Sequence, residues 1–287
     1  MERIVDIKYN SGNTILSGVA DFDIDKIFDC GQCFRFEKTA ENSYSGVAFG
    51  KLLKASQNGN DVVLHGIDRG EFENIWYGFF DLDTDYSLIR QKIATDDIIK
   101  DAMKKGEGIR ILRQDLWETI ISFIVSQNNN IPRIKGIISK ICSSYGETID
   151  DAGSKAFPTC EALASAGVAQ LHALGLGYRD EYISAFSRSV AEGSFSLDDL
   201  KSMDTPKARK TLLDVKGIGG KVADCILLFG MSRYEVCPHD VWVKRIFSEK
   251  YNIEKINEKK GYALATGKWG EYAGIAQQYL FYAERDK

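Results

Sequence analysis

The chain has 287 residues, with 37 Lys+Arg against 41 Asp+Glu and a formal net charge of −4. That balance excludes nucleic-acid binding driven by bulk positive charge, and no apolar run approaches the roughly 18 residues that span a membrane. With 44% hydrophobic residues and only 4 prolines, the chain reads as about two folded domains, neither disordered nor collagenous.

The opening stretch MERIVDIKYN has no apolar core, so no secretory leader is expected. An intracellular chain is expected, cytoplasmic and nucleoid-associated in a bacterium or archaeon. Its cysteines (Cys30, Cys33, Cys142, Cys160, Cys225, Cys237) are then expected to stay reduced. CGQC at 30–33 lacks a second CxxC and a His pair at zinc spacing, so both thiols are expected to be buried small side chains. His65, His172 and His239 are too scattered for a zinc site.

Residues 1–80 are rich in turn signals and β-formers. SGNTILSGVADFDI and SYSGVAFGKLLKAS read as strands, and Asn58-Gly59 predicts a hairpin before VVLHGI. From about residue 85 the pattern turns helical. YSLIRQKIATDDIIKDAMKK and LWETIISFIVSQ space apolar residues three and four apart. IPRIKGIISKICSSYG follows with Pro132 at a helix start. TCEALASAG, RDEYISAFSRSVAEG, SLDDLKSM and TPKARKTLLDV are further helices between Gly and Pro punctuation. YEVCPHDVWVKRIFSEKY and YAGIAQQYLFYAERDK close the helical series. The expected fold class is α+β: a β-rich domain over 1–110 and a helical domain over 111–287.

Residues 205–231 form a helix-hairpin-helix: a helix opened by Thr205-Pro206, the turn Gly217-Ile218-Gly219-Gly220, and a second helix KVADCILLFGM. The glycines allow close backbone approach. The second helix's N-terminus would make an anion site suited to a phosphate, with Ile218 plugging the turn into the core; a plain αα turn with Gly at the helix C-terminus is the alternative. Residues 198–221 add a local basic bias: Lys201, Lys207, Arg209, Lys210, Lys216 and Lys221 against four acidic residues. A P-loop is excluded because Val222 follows Lys221, and the dinucleotide fingerprint lacks its third Gly.

Lys221 and Cys225 are i and i+4, on one helix face. The first helical turn disfavours a cation at Lys221, and a neutral lysine amine is a nucleophile for Schiff-base chemistry. A solvated lysine beside a core cysteine is the blander alternative. Asp240, in CPHDVWVKRIF, reads as a helix N-cap. The same carboxylate could stabilise a developing positive charge at a cleft mouth. Lysine plus carboxylate suits glycosidic chemistry on a nucleoside.

LLDVKGIGGKVADCILLFG followed by VCPHDVWVKRIF resembles the helix-hairpin-helix glycosylases. GIRILRQDLWETIISFIVSQNNNIPRIKGII, LGLGYRDEYI, CGQCFRF and AGIAQQYLFYAERD narrow the resemblance to the 8-oxoguanine DNA glycosylase/AP lyase family, over nearly the whole chain and in the same order. The resemblance implies a small antiparallel β-domain beside helical domains. It implies that Lys221 is the Schiff-base nucleophile and Asp240 the catalytic aspartate. Gly31 matches the residue whose carbonyl accepts the ring N–H that 8-oxoguanine has and guanine lacks. Phe281 and Cys225 match the residues on the two faces of the extruded base, and Gln277 matches the amide at its edge. A thiolate at Cys225 would couple its titration to that of Lys221.

Asn128 resembles the residue that fills the vacated space in the duplex, and Tyr178 the wedge at the unstacked step. Arg133 and Arg179 resemble readers of the orphaned cytosine. Gly217, Gly219 and Lys221 fall on the DNA face. The family hairpin also carries a cation, monovalent or calcium, on backbone carbonyls that match Leu213, Val215 and Ile218. No cofactor is implied for the chemistry, and the chain lacks the four-cysteine C-terminal cluster of the iron–sulfur branch. The implied partner is double-stranded DNA containing 8-oxoguanine; no membrane and no obligate protein partner is expected, and a monomer is. Two departures stand out. Trp242 replaces a histidine that eukaryotic members carry near the lesion phosphate, and Pro132 precedes Arg133. The competing readings are a glycosylase for alkylated purines and a non-catalytic DNA-binding module. A lysine-dependent aldolase would need a barrel pattern that is not seen.

Overall fold

The computed structural model describes residues 6–285. The first five residues of the opening stretch and the last two of the C-terminal helical stretch lie outside them. Six strands, β1 (Asp6–Asn10), β2 (Asn13–Ser17), β3 (Phe36–Ala40), β4 (Ser43–Ala48), β5 (Lys51–Asn58) and β6 (Asp61–His65), form an antiparallel sheet in the order β1-β2-β6-β5-β4-β3. The expected β5–β6 hairpin is present, but its turn lies one residue on. Asn58 pairs with Asp61, so Gly59-Asn60 makes the loop, with Gly59 at φ +57°. Glycine at the first central position is what this turn needs.

Leu16, Leu53, Ala55, Val62 and Leu64 point to one face of the sheet. The expectation of strands alone over 1–80 misses what covers that face. Helix α1 (Ile24–Asp29) stacks Phe28 on Phe36 at 4.1 Å between ring centroids. A helical run over 69–79, with a π turn at Phe72–Trp76, buries Phe72, Trp76 and Phe79. Its apolar residues recur three and four apart, a helical period inside a strand-rich region.

The helical part holds α2 (Tyr86–Ile93), α3 (Asp97–Lys105), α4 (Leu116–Val125), α5 (Ile131–Tyr145), α6 (Arg179–Ala191), α7 (Thr205–Leu213), α8 (Gly220–Met231), α9 (Val241–Glu249), α10 (Glu258–Trp269) and α11 (Ala273–Arg285). Short helical turns fill the intervals. The expected helix over 86–105 breaks at 94–96, where the Asp96 carboxylate caps α3 through the Ile99 amide at 3.0 Å. YEVCPHD is not helical; Pro238 lies before α9, which Asp240 caps. Helix α10 has too faint an apolar stripe to read from sequence. An isolated β-bridge, Thr148 to Lys155, also interrupts the helical part.

Two hydrophobic cores result. One lies under the sheet and takes residues between Leu16 and Leu82, with Leu112. The other is helical and includes Tyr86, Ile89, Ile93 and Ile99 of α2 and α3. Helix α11 packs on α3 and α9, and α8 packs on α4 and α7. Among the described residues no helix is long and apolar enough to cross a membrane. No cluster of three or more His, Cys, Asp or Glu side chains there could hold a metal ion.

Candidate active site

The hairpin between α7 and α8 is built by its glycines. Gly217 has φ +94°, and a Cβ there would lie 2.4 Å from Cδ2 of Tyr182. Gln127 Nε2 donates to the Gly217 carbonyl at 2.9 Å, tying the turn to the end of α4. Ile218 is buried in the helical core. Gly219 is the N-cap of α8 without a side-chain cap, and no atom lies within 4 Å of where its Cβ would be. The first amides of α8 therefore have no side-chain cap, which leaves them available to an anion. At Gly220 the Glu258 carboxylate abuts the same helix end. Glu258 pairs with Arg209, whose Nε also donates to the fully buried Asp224 at 2.7 Å.

Lys221, in the first turn of α8, is partly buried. Its Nζ lies 3.5 Å from Ser126 Oγ and 5.3 Å above the Phe123 ring centroid. Asp240 caps α9, accepting from the Val243 amide at 2.8 Å. Burial pushes the Asp240 carboxyl above the ordinary range, while the Val243 amide and Lys221 pull it back down. The cap reading and the charge-stabilising reading of Asp240 are therefore compatible in one side chain.

Both residues line a cleft of about 1020 Å³, whose walls also include Gly31, Phe281, Asn128 and Gly219. Gly31 has φ +79°, and the Phe281 ring and Ile131 Cδ1 lie 3.5 and 3.4 Å from where its Cβ would be. A Cβ would make ordinary contact with both, so the positive φ rather than lack of space is what calls for glycine. Cys225 is buried beside Lys221. Burial pushes its thiol up to about 11, against the pull of Lys221. The thiolate invoked for coupled titration is thus absent at neutral pH. Gln277 is buried, and its Oε1 has no hydrogen-bond partner among the described residues. A buried amide oxygen without a donor is costly unless something completes it.

The opposite-strand candidates lie outside the cleft lining, apart from Asn128. Asn128 adopts φ +46°, and its Nδ2 donates to the Tyr178 hydroxyl at 3.2 Å. Tyr178 is half exposed. Arg179 is buried beneath the Tyr178 ring, 4.5 Å from its centroid. Its guanidinium donates to the carbonyls of Leu176, at 3.0 Å, and Gln127. Arg179 therefore holds the Gln127–Asn128 turn rather than presenting a free fork. Arg133 is exposed, and Asn130 caps its helix by accepting from the Arg133 amide at 3.0 Å.

The carbonyls expected to hold a cation are in mixed states. Val215 already accepts from the Ile218 amide at 3.0 Å. The Leu213 and Ile218 carbonyls receive no donor among the described residues. Trp242 lines the cleft. Sequence reasoning missed several lining residues: Phe34, Phe123, Ser126, Ile131, His239 and Lys244. His239, next to Asp240, packs against Gly261 and Tyr262, and burial lowers its pKa. Only its position beside Asp240 could have marked it in the sequence.

A glycine-rich hairpin that presents a lysine and a capping aspartate to one cleft is the arrangement of a base-excision repair glycosylase. In line with this, residues 121–271 match the HhH-GPD superfamily of base excision DNA repair proteins. Residues 14–120 match the 8-oxoguanine DNA glycosylase N-terminal domain. The N-glycosylase/DNA lyase of Saccharomyces cerevisiae is 37% identical over 62% of this chain, which spans 57% of that protein. N-glycosylase/DNA lyase OGG1 of Arabidopsis thaliana is 30% identical over 90% of this chain and 76% of its own length. The solved 8-oxoguanine glycosylase/lyase of Clostridium acetobutylicum, bound to double-stranded DNA with cytosine opposite 8-oxoguanine, is 36% identical. It covers 99% of both chains at a TM-score of 0.95. The chain belongs to the 8-oxoguanine DNA glycosylase family.

Proposed function

We propose that this protein is a bifunctional 8-oxoguanine DNA glycosylase/AP lyase of base excision repair. The observation that carries the reading is one cleft lined at once by Lys221, Asp240, Gly31 and Phe281. The target nucleotide is extruded from the duplex into this cleft, at a cost of a few kcal/mol. The Lys221 amine attacks C1′, and the base departs with the electron pair of its glycosidic bond. The secondary amine opens the sugar to an imine. Loss of a C2′ proton then expels the 3′ phosphate by β-elimination, and water hydrolyses the imine to free the lysine. Asp240 stabilises the oxocarbenium-like charge at C1′ and assists proton transfer.

The Gly31 carbonyl accepts the extra N–H of 8-oxoguanine. Guanine would leave that acceptor unpaired, a penalty of about 1–3 kcal/mol. Phe281 stacks on the base, Cys225 lies toward its other face, and the unpartnered Gln277 Oε1 meets its edge. Asn128 and Tyr178 fill and wedge the duplex. Arg133 reads the cytosine, and Arg179 joins it only by leaving its present carbonyl partners. Gly217, Gly219 and the α8 amides receive a phosphate. The Leu213 and Ile218 carbonyls, with Val215, suit a monovalent or calcium ion that would add positive charge there. Formamidopyrimidine lesions fit the same pocket. The site of action is the chromosome, inside the cell.

The test is single-turnover base release from duplexes with 8-oxoguanine opposite each of the four bases. Release fastest opposite cytosine is expected. Release independent of the opposite base would contradict the strand-reading assignment. No release of 8-oxoguanine, with release of alkylated purines instead, would contradict the substrate.

A further inference from the structure

The turn that carries Gly31 is held from several directions. Arg285 donates to the Asp29 carbonyl and, at 2.6 Å, to its carboxylate. Gln278 Nε2 donates to the Cys30 carbonyl at 2.8 Å. Gln114 Nε2 donates to the Gln32 carbonyl at 2.7 Å. The Gln32 side chain is itself satisfied: its Nε2 donates to the Ile27 and Arg110 carbonyls, each at 2.9 Å, and its Oε1 accepts from the Leu112 amide at 2.8 Å. Between Asp29 and Gln32, the Gly31 carbonyl is the one that receives no donor among the described residues.

Gln278 is only 3% exposed and lies on α11 between Gln277 and Phe281. One rigid helix thus supplies both the pocket wall and the donor that fixes the neighbouring peptide. The Cys30 thiol donates to the Ile27 carbonyl at 3.4 Å, and the Gln278 side chain also lies against that thiol. A turn with its flanking carbonyls bonded and one left open is a preorganised acceptor, needing little rearrangement when a donor arrives. Freed of its flanking bonds, the Gly31 peptide could rotate at a glycine, the residue with the most backbone freedom.

We propose that Gln278, together with Gln114, is a positioning residue for lesion discrimination, holding the Gly31 carbonyl where the lesion N–H meets it. The inference rests on the assignment of Gly31 as the lesion reader. Gln278 touches no substrate; it acts through the Cys30 peptide.

The test uses full-length chain carrying Lys221→Gln, so that no base is removed. Dissociation constants are measured for duplexes containing 8-oxoguanine, guanine or a tetrahydrofuran abasic-site analogue opposite cytosine. Adding Gln278→Met should shrink the 8-oxoguanine-to-guanine affinity ratio by about 3- to 10-fold, the range of one lost hydrogen bond. Binding of the abasic analogue, which leaves the pocket empty, should not change. Gln114→Met provides the same comparison should Gln278→Met fail to fold. An unchanged ratio, or an equal loss on all three duplexes, would overturn the inference and leave the functional reading intact. Absence of any preference for 8-oxoguanine in the Lys221→Gln parent would instead overturn that reading, and the inference with it.

Discussion

Replacing Gly217 by alanine tests whether the hairpin is held by backbone geometry. The residue sits at φ +94°, where an L side chain is strained by roughly 1–2 kcal/mol. The new methyl would also lie 2.4, 2.5 and 2.9 Å from Cδ2, Cγ and Cβ of Tyr182. That ring would have to retreat by about 1 Å to reach ordinary carbon contact. It cannot do so freely, because it meets Tyr178 edge-on at 6.0 Å, and Tyr178 in turn holds Asn128. Overpacking of this kind adds roughly 1–3 kcal/mol. The sum is about 2–5 kcal/mol, or roughly 3–8 °C in Tm for a chain of this size. Differential scanning calorimetry measures it, with Gly219→Ala as the contrast. At Gly219 there is open space and no positive φ, so alanine should cost under about 1 kcal/mol. Its methyl would nevertheless stand over the amides that receive a phosphate, and duplex affinity should fall. A Gly217→Ala chain that melts within about 1 °C of the parent would refute the reasoning.

Cys225→Ala should slow release of 8-oxoguanine more than it slows strand scission at a preformed abasic site, since only the first reaction needs the base pocket. Equal losses in both assays would remove Cys225 from that pocket. Asp224 supplies a pH test. Burial raises its carboxyl to about 6 despite the Arg209 partner. The folded chain therefore holds this proton to higher pH than the unfolded chain does. The group's contribution is least favourable above pH 6 and improves as pH falls from 6 toward 4. Urea unfolding across that window should show Asp224→Asn losing this rise relative to the parent. Parallel pH profiles would contradict it.

Much of the fold was legible because its signals are local. Asn58-Gly59 and the apolar alternation around it marked a hairpin, and the slip by one residue reflects only which pair closes the ladder. Pro132 at its helix start and Asp240 before α9 are likewise local stop and start signals. The helical run over 69–79 was lost because its aromatic residues suit strand and helix alike. Helix α10 was lost because tertiary packing, not an apolar stripe, stabilises it. Lys221 and Asp240 were legible as a pair once the hairpin was recognised. The clamp on Gly31 was not. Its donors Gln114, Gln278 and Arg285 are 82, 248 and 256 residues from their acceptors, and a glutamine on a helix carries no mark of its target. Arg179 shows the converse. Its motif suggests a base reader but carries no sign that the fold ties its guanidinium to main-chain carbonyls.

Borohydride trapping on a duplex with a single 8-oxoguanine opposite cytosine tests the central claim most directly, with Lys221→Gln run alongside. Reduction of the imine should leave the parent chain covalently joined to DNA and give no adduct with Lys221→Gln. An adduct that persists in Lys221→Gln would contradict the nucleophile, and a parent chain giving neither adduct nor base release would contradict the proposed chemistry.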